Sequence, residues 1–573
     1  MSSPAATPAR GRRGLWRWAV ALVATVALVI SGSGLVVFAQ NGAGESQGPA
    51  FVPAETPIYL EARLDMPAGQ GEALAQMLTA FPGFADAGSF DMKLDEVVAG
   101  LAGEMGLDAA DVDLIGDVLT GEIGLAVGDL EAAMSGGSDP AVLIGLAVAD
   151  AELAASMLAS MAGDVSEETY GDTTILTDMA TSGAVHAGWM LLSNDITQVQ
   201  AAIDVLDGNA PSLADDAGFS TAFVRVPAGH LGAAYVDMRS FASFIDLAGM
   251  MATGQTGMEL PVADLAAMLP MDMVMFLAAE PDRMNLEVLV TPGASTPGAP
   301  VGDSELADAF PSDTQLYVET RELGSAVETA LNGLVDLLAT QAETMPGDGA
   351  MGGLGDIEAL LGEDSPITSL LGAPLPQVLD FVEDAAVGAS LSSDGLWVGM
   401  AGEVSDEAIA EERVGNLIAL LRLFGGDPAE TGISVETAMV GDTEVTTIML
   451  PLDDLAAGSG LPIALGDSIS VAVSDGELLL GTGDFVELAL SGDAASLGAS
   501  AAYADAIGED SVNAGLMYMN VSSLLASLDP LLSAMMPEWA DIAPYATGVD
   551  RIVLLSTADD GVAHTRMTAI VNQ

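Results

Sequence analysis

Two distant stretches of this chain begin alike, and that likeness limits the fold more than any other feature. One reads Pro53-Ala54-Glu55-Thr56-Pro57-Ile58-Tyr59-Leu60-Glu61-Ala62-Arg63. The other reads Pro311-Ser312-Asp313-Thr314-Gln315-Leu316-Tyr317-Val318-Glu319-Thr320-Arg321. Further echoes follow in the same order. Ile123-Gly124 matches Val387-Gly388, and Gly171-Asp172-Thr173 matches Gly441-Asp442-Thr443. Gly188 with Leu191-Leu192 matches Gly476 with Leu479-Leu480, and Gly232 with Tyr235 matches Gly515 with Tyr518. Ordered echoes at so long a period predict a tandem duplication of a whole domain rather than a solenoid.

Each copy is expected to be α+β. Alternation from Ile58 to Leu64 predicts a strand with Ile58, Leu60, Ala62 and Leu64 on the apolar side and Tyr59, Glu61 and Arg63 on the other. The period then predicts helices at 70–81 and 93–105 and strands at 122–127 and 141–148. A helix at 150–162 and strands at 173–177 and 184–192 follow. A helix at 195–206, a strand at 231–238, a helix at 239–252 and strands at 272–279 and 284–291 complete the copy. In the second copy, Asp475-Gly476 between two apolar runs is a hairpin signal. Hairpins alternating with single helices imply a mainly antiparallel sheet with helices packed on one face.

Ahead of the first copy, Trp18 to Ala39 carries no charge. A helix of that length spans a hydrocarbon core of about 30 Å. Arg10, Arg12, Arg13 and Arg17 precede it, so the positive-inside rule places a basic tail, residues 1–17, in the cytoplasm. Residues 18–39 are then a transmembrane anchor, or a signal segment cleaved after Val37-Phe38-Ala39. Either way the bulk of the chain is extracytoplasmic. Residues 40–50 read as a linker, 51–291 as the first domain, 292–308 as a second linker with Met-rich and Gly-rich loops such as 346–354 further on, and 309–573 as the second domain.

The 573 residues hold 83 Asp plus Glu against 14 Lys plus Arg, a formal charge of -69. Such a surface repels phosphates, so nucleic acid is no partner. It suits a well-solvated exterior, a high-salt habitat, or loose binding of divalent cations. With no cysteine, disulfides and thiolate chemistry are excluded.

Catalytic signatures are missing. Lys93 is the only lysine, which removes the P-loop and the Ser-x-x-Lys pattern, and no Gly-x-Ser-x-Gly elbow occurs. His186, His230 and His564 have no ligand-spaced partner, so they read as incidental. Asp108, Asp111, Asp113 and Asp117 fail the EF-hand pattern, because Ile115 stands where the third acid belongs. A carboxylate-pair hydrolase is a poor option, since only Trp189, Trp397 and Trp539 remain as sugar platforms after the N-terminal segment. No cofactor, metal or catalytic residue is assigned.

The one singled-out feature is the repeated Tyr-x-Glu-x-Arg face: Tyr59, Glu61, Arg63 and Tyr317, Glu319, Arg321. Its plain reading is a solvated strand face where Arg pairs with a neighbouring acid. Its functional reading is an anion or partner contact repeated in each copy. Methionines, 29 in all, suit core filling or an adaptable apolar pocket.

The opening Phe51-Val52-Pro53-Ala54-Glu55-Thr56-Pro57-Ile58-Tyr59-Leu60-Glu61 after one membrane segment, with Phe81-Pro82-Gly83 later, resembles an uncharacterised bacterial family. Its members are membrane-anchored envelope proteins with a domain of unknown function. The resemblance implies a location and no activity. The expectation is a non-catalytic envelope protein that acts as a binding or structural module. The alternatives are a carrier of a lipid or other apolar ligand between sheet and helices, and a carboxylate-based hydrolase. An envelope protein or an apolar small molecule would be the partner.

Overall fold

The computed structural model describes residues 46–63, 69–84, 118–128, 140–161, 165–178, 181–241, 271–291, 305–324, 377–392, 395–424, 433–450, 467–491, 495–508, 513–559 and 562–572, with a few single positions between. The expected membrane segment 18–39, the helix at 93–105, the Asp108–Asp117 group and the loop at 346–354 lie outside the described residues. No helix among the described residues is long and apolar enough to cross a membrane. The chain forms two compact units with the main break between Thr296 and Pro297.

The first unit is an antiparallel sheet. Its strands are β1 (Ile58–Arg63), β2 (Leu119–Gly128), β3 (Ala141–Val148), β4 (Ser166–Tyr170) and β5 (Thr173–Thr177). Then come β6 (Ser182–His186), β7 (Trp189–Ser193), β8 (Gly232–Asp237), β9 (Asp272–Glu280) and β10 (Arg283–Thr291). Their order across the sheet is β10-β9-β8-β1-β2-β3-β7-β6-β5-β4. The first strand in sequence is therefore central, and β3, an uninterrupted apolar run, is buried on both faces. Helices α1 (Gln70–Leu78), α2 (Ala151–Met161), α3 (Ile196–Leu206) and α4 (Ala217–Phe223) fill the connections. Asp195 caps α3 by accepting from the Thr197 amide, and Asp216 caps α4 at Phe219.

The second unit has β11 (Leu316–Thr320), β12 (Val382–Ser392), β13 (Gly395–Val404), β14 (Ser434–Val440) and β15 (Thr443–Met449). It continues with β16 (Ser468–Ser474), β17 (Glu477–Thr482), β18 (Gly515–Asn520), β19 (Val549–Asp559) and β20 (Val562–Val571). The order is β20-β19-β18-β11-β12-β13-β17-β16-β15-β14, again all antiparallel. Its helices are α5 (Glu407–Phe424), α6 (Phe485–Ser491), α7 (Ala501–Ile507), α8 (Val521–Met535) and α9 (Trp539–Ala546).

Three expectations are corrected. The run 184–192 is two strands rather than one, because Ala187 and Gly188 turn with φ of 48° and 84°. Asp475 and Gly476 make the matching turn at 54° and 82°. Only the Asp-Gly pair advertises itself in sequence. Second, helices pack on both faces of each sheet. Phe51 lies over Gly124 and Gly145, whereas Leu158 of α2 lies over Gly183, which pairs with Leu192 and so shares the opposite face with Ile144. In the second unit Phe485 covers Gly399 and Gly481, while Ala410 and Ile418 of α5 cluster with Val471 and Leu478 beneath the other face. Third, the two linkers are partly built in. Gly48–Phe51 and Leu306–Ala309 are 3-10 turns, and Gly48, Pro49, Leu306 and Ala307 within the expected linkers are buried.

A Cβ at Gly145 would overlap the Phe51 ring, which itself packs on Trp189 at 4.7 Å between centroids. Gly145→Ala is expected to cost about 1–3 kcal/mol in denaturant unfolding, in line with an overpacked core. An unchanged midpoint would mean that Phe51 does not seat there.

Candidate functional site

The Tyr-x-Glu-x-Arg face is the place to look, and the structure turns it around. Tyr59 and Arg63 are fully buried and Glu61 is 4% exposed, while Leu60 on the other side is 42% exposed. Tyr317, Glu319 and Arg321 are buried in the same way, with Val318 41% exposed. The solvated-face reading is therefore corrected: β1 and β11 are mid-sheet strands whose polar side faces the covered interior. The cause is in the partners. A buried ion is tolerated only when its charge and lone pairs are met, and here they are met from far along the chain.

In the first unit, Tyr59 donates its hydroxyl to Glu61 Oε2 at 2.7 Å, and Ser46 Oγ donates to the same oxygen at 2.6 Å. Glu61 Oε1 meets His230 Nε2 at 2.5 Å. His230 Nδ1 stands 2.7 Å from the Pro227 carbonyl, which can only accept, so Nδ1 carries a hydrogen. One proton then lies between Nε2 and Glu61. Arg63 Nε reaches Glu122 Oε1 at 3.4 Å across the β1–β2 pair. Glu122 Oε2 accepts the backbone amides of Gln47 and Gly48 at 2.8 and 2.6 Å. The entering chain is thus strapped to two buried carboxylates.

In the second unit, Tyr317 donates to Glu319 Oε2 at 2.7 Å, and Arg321 Nη2 makes an ion pair with Glu319 Oε1 at 2.8 Å. Arg321 Nη1 donates to Asp384 Oδ2 at 2.7 Å. Its Nη2 donates to the Gly302 carbonyl at 2.8 Å and to Asn513 Oδ1 at 3.1 Å, and Nε donates to the Asn513 carbonyl at 3.1 Å. Gly302 and Asn513 also exchange both backbone hydrogen bonds at 3.1 Å. Again the chain entering the unit is held over the buried arginine. Asn513 stands two residues ahead of β18 as His230 stands two ahead of β8.

Electrostatics follow burial. Desolvation, then repulsion from Glu61, raises the Glu122 carboxyl above the usual range. Desolvation and the adjacent glutamate push the Tyr59 and Tyr317 phenols well up, so both stay protonated donors. The buried clusters therefore present donors and acceptors to one another and to the entering chain.

Sequence reasoning missed Glu122, Asp384, His230 and Asn513. His230, incidental by its spacing in sequence, is 2% exposed and hydrogen-bonded to Glu61. The available signal was its position two residues ahead of the Gly232 echo. His186 is different: Nδ1 meets Thr173 Oγ1 at 2.7 Å and Nε2 meets Asp207 at 2.9 Å. That line of three looks like a relay, but Thr173 is buried, and the matching hairpin positions Thr443 and Ser474 simply join hydroxyls at 2.8 Å. It reads as a tie across the hairpin end. Among the described residues, no group of three or more His, Asp or Glu is placed to hold a metal.

A second feature lies on the face of the second sheet that α5 covers only in part, where Met400 packs against the cluster of Ala410 and Ile418. Val318 stands opposite Val387 and Met517. Val387 leads through Met400 to Leu480, and Met517 leads through Leu554 to Met567. Val318, Val387, Leu480 and Met567 are 41%, 45%, 37% and 39% exposed. At about 4.8 Å per strand this apolar row runs roughly 29 Å across the sheet.

Comparison with known proteins adds a family and little else. A family described as "protein of unknown function (DUF3352)" matches residues 19–344, more than half the chain. No curated protein matches. Two solved structures of TP0453, in crystal forms III and I, are similar at 10% and 11% identity. Each match covers 44% of this chain and 82% of that one, with a TM-score of 0.24 that carries no argument about fold.

Two outcomes are expected of the buried clusters. Arg321→Met leaves Glu319 and Asp384 unpaired and should cost about 3–5 kcal/mol in denaturant unfolding. Arg239→Ala, whose side chain is 56% exposed, should cost roughly 0–1 kcal/mol. Comparable losses would contradict the assignment. For Glu122, a raised folded pKa means that its stabilising contribution is complete below the unfolded value and is lost as pH rises through the folded one. The unfolding midpoint should therefore climb as pH falls from neutral toward the ordinary glutamate value of 4.5, and climb less in Glu122→Gln. Parallel pH profiles for the two proteins would refute the raised carboxyl.

Proposed function

We propose, for a chain that belongs to this family of unknown function, a non-catalytic binding module of the cell envelope that takes an apolar ligand. Residues 18–39 anchor it, the basic tail 1–17 stays in the cytoplasm, and both units lie outside. The two units are copies of one domain. Their identical strand order supports that reading, as do the paired tyrosines Tyr59–Tyr235 and Tyr317–Tyr518 in strand register. One echo shifts: Gly124 pairs with Glu61, whereas Gly388 pairs with Tyr317, so these glycines sit two residues apart in register.

The observation that carries the binding role is the half-open apolar row through Val318 and Val387. Val318, Val387, Leu480 and Met567, each left about two-fifths exposed, forfeit transfer free energy of roughly 25 cal/mol per Å². A ligand lying along the row recovers it. The high acidity keeps such a surface soluble without adding affinity for anionic partners.

The test is native mass spectrometry of residues 41–573 purified without detergent. The expected result is a stoichiometric, solvent-extractable mass of a few hundred daltons. Val387→Asp should lower its occupancy about tenfold, the equivalent of 1.4 kcal/mol. A clean apo mass, unchanged after incubation with lipid extract, would overturn the proposal in favour of a structural role.

A further inference from the structure

We infer that residues 224–229 of the first unit rest on the lipid bilayer surface, with Val224 entering the headgroup boundary and Arg225 meeting lipid phosphate. The inference rests on the reading of 18–39 as a membrane span. It begins with where the chain enters the fold. Ser46, Gln47 and Gly48 are bonded to Glu61 and Glu122, and Phe51 and Val52 are fully buried, so the entry point is fixed. Ala39 ends the apolar segment only seven residues before Ser46. At about 3.4 Å per residue the gap is at most roughly 24 Å.

The loop at 224–229 lies beside that entry point through a chain of contacts. Ser46 and His230 bind the same Glu61 carboxylate, and the His230 ring is bonded in turn to the Pro227 carbonyl. The Phe223 ring lies 6.3 Å from the His230 ring and 6.5 Å from that of Tyr59. On this loop Val224 is 78% exposed, the highest value among the large apolar side chains described. Arg225 next to it is exposed and has no ion pair among the described residues. Its guanidinium is therefore open to an anion from outside the chain.

An apolar side chain beside an arginine suits the interface of a bilayer. The first leaves water for the acyl boundary, and the second makes paired hydrogen bonds to phosphate. The short tether supplies the encounter, because a loop held within a few nanometres of the membrane meets it at high effective concentration.

The absence of cysteine makes the test direct. The full chain carrying Val224→Cys is labelled with an environment-sensitive fluorophore and reconstituted in vesicles of phosphatidylcholine and phosphatidylglycerol. Thr169→Cys serves as control: it is exposed on β4, six strands or roughly 29 Å from β1. The expected result is blue-shifted emission and quenching by headgroup spin-labelled lipid at 224, absent at 169, and lost when Arg225→Glu is added. Equal, water-like emission at both sites in vesicles that retain the protein through a carbonate wash would overturn the inference and leave the anchor standing. Release of the protein by that wash would overturn the anchor and, with it, this inference.

Discussion

Each unit is organised around an arginine that has no water to dissolve it. Arg63 ends β1 and Arg321 directly follows β11, each with its side chain buried. A buried cation of this kind is stable only if carboxylates and carbonyls converge on it, and meeting that demand fixes several elements at once. In the second unit Arg321 collects a carboxylate from its own strand, one from β12, and carbonyls from Gly302 and Asn513. Those groups come from the entry segment, from β12 and from the residues just ahead of β18. The arginine is thus a register pin for the centre of the sheet.

From that pin the rest of each fold follows. The strap at 46–51 reaches Glu122 only if it lies across the end of β1, and this brings Phe51 down onto Gly124 and Gly145. The missing Cβ atoms at those glycines make room for the ring. Aromatic side chains then close the covered face: Tyr59, Phe219 and Tyr235 in the first unit, and Phe310, Tyr317, Tyr503 and Tyr518 in the second. With no disulfide to help, these contacts and the apolar core carry the stability.

Much of this was legible in the sequence, but with the inside taken for the outside. The recurring Tyr, Glu and Arg pointed to the right residues. Period-two alternation put Leu60 inward because it weighs each side chain alone. Glu61 is paid for by His230, 169 residues later, and no local pattern announces such a partner. The strand β4, Ser-Glu-Glu-Thr-Tyr, was missed for a related reason: it is an exposed edge strand whose charges protect it from pairing with other chains. Turn chemistry at Asp475-Gly476 was plain, and at Ala187-Gly188 it was hidden by an alanine in a left-handed conformation.

The claim on which the account turns is that the buried carboxylates hold the entering chain. Hydrogen exchange followed by mass spectrometry, on a peptide covering 46–52, tests it most directly. The account predicts that the Gln47 and Gly48 amides exchange as slowly as those of β1, and that Glu122→Ala brings them to the rate of an unstructured chain while β1 stays protected. Rapid exchange of 46–52 in the unaltered protein would contradict it, because the strap would then not be bound to Glu122.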